Sequence, residues 1–322
     1  MSRSEKSARM KISRSWMAAW ISLVLGCTAS PVDTVYDGEG EDTCPPEPSP
    51  LAFGTPETLD LVTWNIQEFP KAGQGTVTAV EEVLLGLDVD LFAFQEITDV
   101  PTFLQMADYM PGWEAYVESE WYGGLAYLYR TDTIEVIRNY EIYTTEEYWT
   151  AFPRSPQVME FRFAGEDFVV IDNHFKCCGD GRLEPEDSWD EETRRRTASA
   201  FLRDYIDLHF VDRRVFVVGD LNDCLTDAPE YNAFQPFLDD PVHYRFADMD
   251  IATGDAADWS FPSYPSHLDH ILVTAPLFDA LDHPETRVQS ILIDSVLFDG
   301  WWDYEARVSD HRPVALRLAL GE

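Results

Sequence analysis

The chain has 322 residues, 45% of them apolar, which is enough for a substantial core and one large α/β domain. Its 59 Asp plus Glu outnumber 23 Lys plus Arg, for a formal net charge of −36. That balance excludes a protein that coats nucleic acid through a broad basic stripe of its own, although metal ions at a site would reverse the field locally.

The N-terminus carries Arg3, Lys6, Arg9, Lys11 and Arg14 before an apolar run from Trp16 to Leu25. This pattern reads as a secretory signal peptide, residues 1–26, because the run is about half the ~20 residues that cross a bilayer. The segment Leu23-Val24-Leu25-Gly26-Cys27 is similar to a bacterial lipobox, so Cys27 is the expected lipidation site and new N-terminus. The expected location is therefore a bacterial cell envelope, lipid-anchored at the outer membrane or surface, or otherwise secreted. Removing residues 1–26 takes away five basic residues and one acidic one, so the acidity belongs to the exported part. Residues 27–58 are rich in Pro, Glu, Asp and Ser and read as an extended tether. The folded domain is expected over residues 59–322.

Within that domain, Asp60 to Asn65 reads as a first strand, Thr76 to Leu87 as a helix and Asp90 to Gln95 as a buried strand. Gly124 to Arg130, Ile134 to Tyr143, Gln157 to Phe163 and Asp167 to His174 read as consecutive antiparallel strands. Turns fall at Thr131-Asp132 and Ala164-Gly165. Glu191 to Phe210 reads as a long helix and Arg214 to Val218 as a further strand. These elements alone imply a mixed α/β domain. No internal repeat is evident.

Several strand-like runs end in a carboxylate, amide or imidazole. They are Leu61-Val62-Thr63-Trp64-Asn65, Leu91-Phe92-Ala93-Phe94-Gln95-Glu96, Val169-Val170-Ile171-Asp172-Asn173-His174 and Val217-Val218-Gly219-Asp220-Leu221-Asn222. Near the C-terminus stand His267-Leu268-Asp269-His270-Ile271 and Ser309-Asp310-His311. Strand ends that deliver polar groups are how a sheet scaffold assembles a site from distant sequence.

This ordered set resembles the endonuclease/exonuclease/phosphatase superfamily, over about Leu59 to Leu320. The resemblance implies a deoxyribonuclease I-like fold, a four-layer sandwich of two mixed β-sheets flanked by helices. It also implies a metal-dependent phosphoric ester hydrolase. Phosphoester hydrolysis requires that oxygen charge be neutralised, hydroxide formed and the leaving oxygen protonated. By the resemblance, Glu96 is the principal metal ligand, with the Asn65 amide oxygen and Asp310 beside it. Mg²⁺ is the expected ion, with Mn²⁺ or Ca²⁺ as alternatives. Gln67 stands where some relatives carry an acid, which leaves the second metal position open. Asp220 is expected to orient or deprotonate the attacking water, and Asn222 to donate to a phosphate oxygen. If the strand extends through them, both point to one side. His174 and His311 are the expected phosphate donors and general acid/base, and Asp269 is expected to fix the tautomer of His311 and raise its pKa. Arg154 falls where relatives place a phosphate-facing guanidinium. No role follows for His270.

Arg194, Arg195 and Arg196 follow Asp190, Glu191 and Glu192 and read as helix-surface ion pairing. Trp301, Trp302, Tyr304, Trp259, Phe261 and Tyr264 flank the last motifs as candidates for substrate choice or core packing. With Cys27 lipidated, Cys44, Cys177, Cys178 and Cys224 remain, and export favours disulfides over free thiols. Both Cys177-Cys178 and Cys224 follow site strands, so a bridge from Cys224 to Cys177 or Cys178 is expected, with the other cysteine of the pair available to Cys44. The expected activity is hydrolysis of a phosphodiester, nuclease-like, with nucleic acid or a phospholipid headgroup as substrate. A phospholipase, sphingomyelinase or phosphatase is the alternative, and a non-catalytic envelope binding lipoprotein is the alternative of another class. No obligate protein partner is evident.

Overall fold

In the first sheet, β1 (Thr58–Phe69) pairs parallel with β2 (Leu91–Ile97), and β3 (Trp113–Tyr116) and β4 (Gly124–Arg130) extend the sheet beyond β2. The second sheet takes up β5 (Glu135–Glu141), β6 (Gln157–Phe163), β7 (Glu166–His174), β8 (Arg214–Asp220), β9 (Tyr244–Phe246) and β10 (Asp269–Thr274). The chain then returns to the first sheet through β11 (Arg287–Ser290) and β12 (Val314–Ala319). The sheet orders are β11-β12-β1-β2-β4-β3 and β5-β6-β7-β8-β10-β9, each with one parallel pair, β1–β2 and β7–β8. This computed structural model describes residues 49–117 and 124–321. The expected leader, Cys27 and Cys44 lie outside the described residues. Among the described residues no helix is long and apolar enough to cross a membrane.

Strand alternation decides which side chains meet in the middle. Leu59 and Leu61 of β1, Leu91 and Ala93 of β2, Phe168 and Val170 of β7, Phe216 and Val218 of β8, and Ile271 and Val273 of β10 fill the layer between the sheets. The alternate residues Val62, Trp64, Phe92 and Phe94 face outward beneath α1 (Gln74–Leu87) and α2 (Val100–Asp108). Val169, Ile171, Val215 and Val217 face outward beneath α3 (Glu191–His209). The result is helix, sheet, sheet, helix, the four-layer sandwich expected from the resemblance. Helix α1 buries Val77, Val80, Val83, Leu84 and Leu87 at helical spacing and stops at Asp88 in left-handed conformation. Helix α2 starts where the Asp99 carboxylate accepts the Thr102 amide, and α3 where Asp190 accepts the Thr193 amide ahead of Glu191 and Glu192.

Two expectations are corrected. Gly124–Arg130 is not the first of four consecutive antiparallel strands: it pairs with β2 in the first sheet, and only β5, β6 and β7 form the antiparallel run. An apolar run has no local signal for which sheet it joins. The tether also ends earlier than residue 58, because Leu51 and Phe53 are buried against the α1 layer and the Phe53 and Gly54 amides donate to the Leu87 carbonyl.

Candidate functional site

The inward-facing alternation that builds the central layer continues to one end of both sheets, where apolar residues give way to polar ones. Two residues beyond Leu61 and Thr63 on β1 the next inward position is Asn65, and on β7 Val170 is followed by Asp172 and His174. On β8, Val218 is followed by Asp220, and on β10 Ile271 is preceded by Asp269, directly opposite Asp220 in the antiparallel register. Because β12 runs antiparallel to β1, Asp310 and His311 arrive at the same end just before that strand begins.

Glu96 breaks the alternation. Regular β geometry would send it outward with Phe92 and Phe94, but its φ is +66° and the ladder shifts register between Phe94 and Ile97. The carboxylate therefore reaches the Asn65 amide at 3.2 Å and the Glu68 backbone amide at 3.0 Å. Gln67, Glu68 and Asn222 are also left-handed. Non-glycine residues in that region carry strain, and strain of this kind concentrates at functional sites. Gly219 is required for a separate reason: any Cβ there would lie 1.8 Å from the Asn173 carbonyl oxygen on the parallel partner strand.

Asp220 is the centre of the imidazole side. Its Oδ2 accepts the Asn65 amide at 3.0 Å and lies 3.5 Å from His174 Nε2 and 3.7 Å from His311 Nε2. Behind His311, Nδ1 donates to Asp269 at 2.7 Å, and Asp269 is fully buried. Burial alone would lower the pKa of His311, but Asp269 and Asp220 outweigh it and hold the imidazolium to about 10. His174 goes the other way: burial, the Arg154 charge and the His311 charge depress it well below the usual value. Burial raises Asp220 to about 7, against the pull of His311. The two histidines thus hold opposite protonation around one carboxylate.

The acidic side is formed by Glu96 and Asp310, both partly open to solvent, with Asn65 and Gln67. The Gln67 amide donates to Asp310 at 2.8 Å, and Lys71 Nζ bonds to both Gln67 Oε1 and the Glu305 carbonyl. Burial raises the pKa of Asp310, and the charge of Glu96 raises it further. Carboxylate oxygens such as those of Glu96 and Asp310 are hard donors of the kind a divalent cation takes.

The structure thus brings together Asn65, Glu96, His174, Asp220, Asp269, Asp310 and His311, and sets Arg154 close enough to be felt at His174. Asn222 is placed differently from expectation. Strand β8 ends at Asp220, and Asn222 turns left-handed so that its side-chain amide donates to the Phe175 carbonyl at 3.2 Å. Cys177, Cys178 and Cys224 are free thiols. The loops bearing them are tied by Arg195 instead, whose guanidinium takes Asp223 at 2.7 Å, the Lys176 carbonyl at 2.9 Å and the Cys178 carbonyl at 2.7 Å. Arg195 is almost fully buried, so it is not the helix-surface residue expected. The Glu192 carboxylate completes its shell at 3.3 Å.

Several contributors escaped the sequence reading. Ser309 donates to the Asn65 carbonyl at 2.6 Å and accepts the His311 amide at 2.9 Å, joining both sides of the site. His270 faces the Asp248 carboxylate with Nδ1 at 2.6 Å and the Asp223 carbonyl with Nε2 at 2.9 Å. Both partners accept, so both nitrogens donate and the ring is a buried imidazolium. Burial opposes this charge, but Asp248 prevails and its own pKa is driven down. Among the aromatics, Tyr304 is buried and bonds Trp64 Nε1 and the His311 carbonyl, whereas the Phe261 ring lies tilted with its centroid 4.8 Å from that of His311, and exposed Tyr264 stacks on it beyond.

Residues 62–311 match the model of the Endonuclease/Exonuclease/phosphatase family. The chain belongs to this family. No curated protein matches the sequence closely enough to count as a relative. Several solved structures are similar in fold at low identity. D. rerio TDP2 complexed with single strand DNA product is 13% identical with a TM-score of 0.62, covering 82% of this chain and 99% of its own. The human Nocturnin catalytic domain with bound sulfate anion is 14% identical with a TM-score of 0.59, covering 82% and 95%. The Bacteroides thetaiotaomicron mannosyl-6-phosphatase is 18% identical with a TM-score of 0.56, covering 81% and 100%. Members of this family are phosphoesterase hydrolases, and that is the class of this chain.

Proposed function

We propose that the chain is a divalent-metal-dependent phosphodiesterase of nuclease-like type. The observation that carries this reading is the opposed pair of imidazoles around Asp220: His311 protonated and braced by Asp269, His174 neutral. Titratable groups whose surroundings push their pKa values apart supply an acid and a base at one pH. In this reading His311 Nε2 donates to a phosphate or leaving-group oxygen, and the Asp220 carboxylate takes a hydrogen bond from the attacking water. Arg154 adds positive charge on the His174 side. Glu96 and Asp310 would hold the cation, while the Asn65 side-chain amide donates to Glu96 and Asp220 and accepts the Gln67 amide, so it positions the carboxylates. When bound, the cation would supply positive charge to the phosphoryl oxygens.

A diester is preferred because the two imidazoles and Arg154 are suited to one negative charge at phosphorus, and among the described residues no compact Lys/Arg cluster at the site awaits a dianion. The DNA-bound TDP2 structure supports a nucleic-acid diester among the possible substrates. The monoesterase reading draws on the mannosyl-6-phosphatase, the more similar of these neighbours in sequence. Comparison of kcat/KM for bis(p-nitrophenyl) phosphate and p-nitrophenyl phosphate, corrected for their uncatalysed rates, decides between them, with Mg²⁺, Mn²⁺, Ca²⁺ and EDTA arms. Monoester preference would overturn the diester reading, and full activity in EDTA would overturn metal dependence. Single-stranded DNA, RNA and sphingomyelin in the same assay separate nuclease from sphingomyelinase. We further propose export and lipid anchoring through Cys27, which the mass of the mature N-terminal peptide tests.

A further inference from the structure

The loop after β7 carries two adjacent exposed cysteines, and their sulfur atoms lie 2.9 Å apart. Cys178 is left-handed, with φ at +73°, a conformation that an L residue rarely adopts unless its surroundings impose it. The surroundings are visible: buried Arg195 grips the carbonyls on both sides of the pair, at Lys176 and Cys178, and is itself held by Asp223 and Glu192. Glu192 also accepts the Gly181 amide, so the loop is anchored beyond the cysteines as well. Lys176 Nζ stands 3.6 Å from Cys177 Sγ.

We infer that Cys177 and Cys178 form a thiol–disulfide exchange site that takes low-molecular-weight disulfides and closes to a vicinal disulfide. Cys177, beside the ammonium, is the attacking sulfur. Its thiolate bonds to one sulfur of the external disulfide, whose other half leaves as a thiolate and takes up a proton. The Cys178 thiolate then attacks Cys177 sulfur and expels the second half in the same way. Two cysteine thiols are oxidised, one external disulfide is reduced to two thiols, and no other oxidant is needed. Closure requires the sulfurs to approach from 2.9 Å to about 2.05 Å. Neighbouring Cα atoms are only ~3.8 Å apart, below the usual disulfide span, so the bond is strained and readily reduced again. Arg195 stands between the loop of Cys224 and the pair, bonding Asp223 on one side and the Cys178 carbonyl on the other. The inference is independent of the diesterase reading, since it concerns chemistry outside the phosphate site.

The full-length protein is exposed to glutathione disulfide, quenched with acid and mapped by mass. The wild type is expected to lose two hydrogens in the single peptide that holds both cysteines, and to regain them with dithiothreitol. Cys178→Ser stalls after the first step and retains one glutathione on Cys177, whereas Cys224→Ser behaves as wild type. Since both side chains of the pair are exposed, Cys178→Ala provides a second stalled variant should the serine fail to fold. A stable glutathione adduct on the wild type, or a bond from either residue to Cys224 or Cys44, would overturn the inference.

Discussion

Strands β1 and β2 carry acidic or amide groups at both ends, and the two ends treat them in opposite ways. At the catalytic end Asn65 and Glu96 sit in strained or irregular backbone, among histidines held in opposite charge states. At the far end Asp60 lies within regular β1 and Asp90 just before β2, where the Asp60 amide donates to Asp90 at 2.9 Å. There Asp60 has hydroxyl and amide donors from Thr58 and Thr55 but no imidazole, so burial, then its Asp90 neighbour, pushes it up to about 7. Burial of acid alone is therefore not the mark of the site. What distinguishes the catalytic end is acid matched to imidazolium and held by left-handed backbone, a combination that costs stability and fits a polar transition state.

The comparison breaks most sharply at Glu96. Glu96→Gln keeps the shape and removes one charge, and kcat on a phosphodiester is expected to fall roughly 10³-fold. Asp60→Asn, the matching change at the far end, is expected to leave kcat near wild type. A comparable loss in both variants would mean that buried acid in general, and not the catalytic end, carries the activity.

A smaller effect is expected from the imidazole brace. His311→Ala and Asp269→Asn are each expected to cost about 10²-fold, and the double variant far less than their product, because the carboxylate acts through the ring. Asp269 is one of the charges that keep His311 protonated to about 10. Its removal lets the imidazolium lose its proton at lower pH, so the alkaline limb of kcat/KM in Asp269→Asn should move toward acid. An unmoved limb with multiplicative losses would show that the pair does not act as a unit.

The mildest test concerns stability at the far end. The folded-state pKa of Asp60, about 7, exceeds the ordinary 3.8, so the folded protein binds a proton that the unfolded chain does not. That contribution is complete below the unfolded pKa and is lost as pH rises through about 7. Urea midpoints should therefore fall between pH 5 and pH 8, and Asp60→Asn should reduce the fall, leaving the shares due to the other acids whose pKa burial raises, Asp90, Asp220 and Asp310 among them. Equal falls in both proteins would remove Asp60 from the account.

Legibility followed how local each signal was. The run Leu91 to Glu96 announces a buried strand ending in a carboxylate, and Asp190 before Glu191 and Glu192 announces a helix start, because alternation and capping involve neighbours only. Arg195 was misread because helix spacing near acids describes a solvated face equally well, and only the packing of α3 against two loops buries it. Gly124–Arg130 was assigned to the wrong pairing because an apolar strand carries no mark of its sheet.

By itself the sequence determined strands β1, β2 and β4 to β8, helices α1 and α3 and the order of polar groups at strand ends, since these depend on periodicities of two and 3.6 residues. Tertiary structure alone decided that Asp269 stands opposite Asp220, that Ser309 ties Asn65 to His311, and that a left-handed Glu96 turns toward Asn65. It also decided the charge of each histidine. A pKa depends on burial and on charges within a few ångströms, and the charges that set His311 come from strands far apart in the chain.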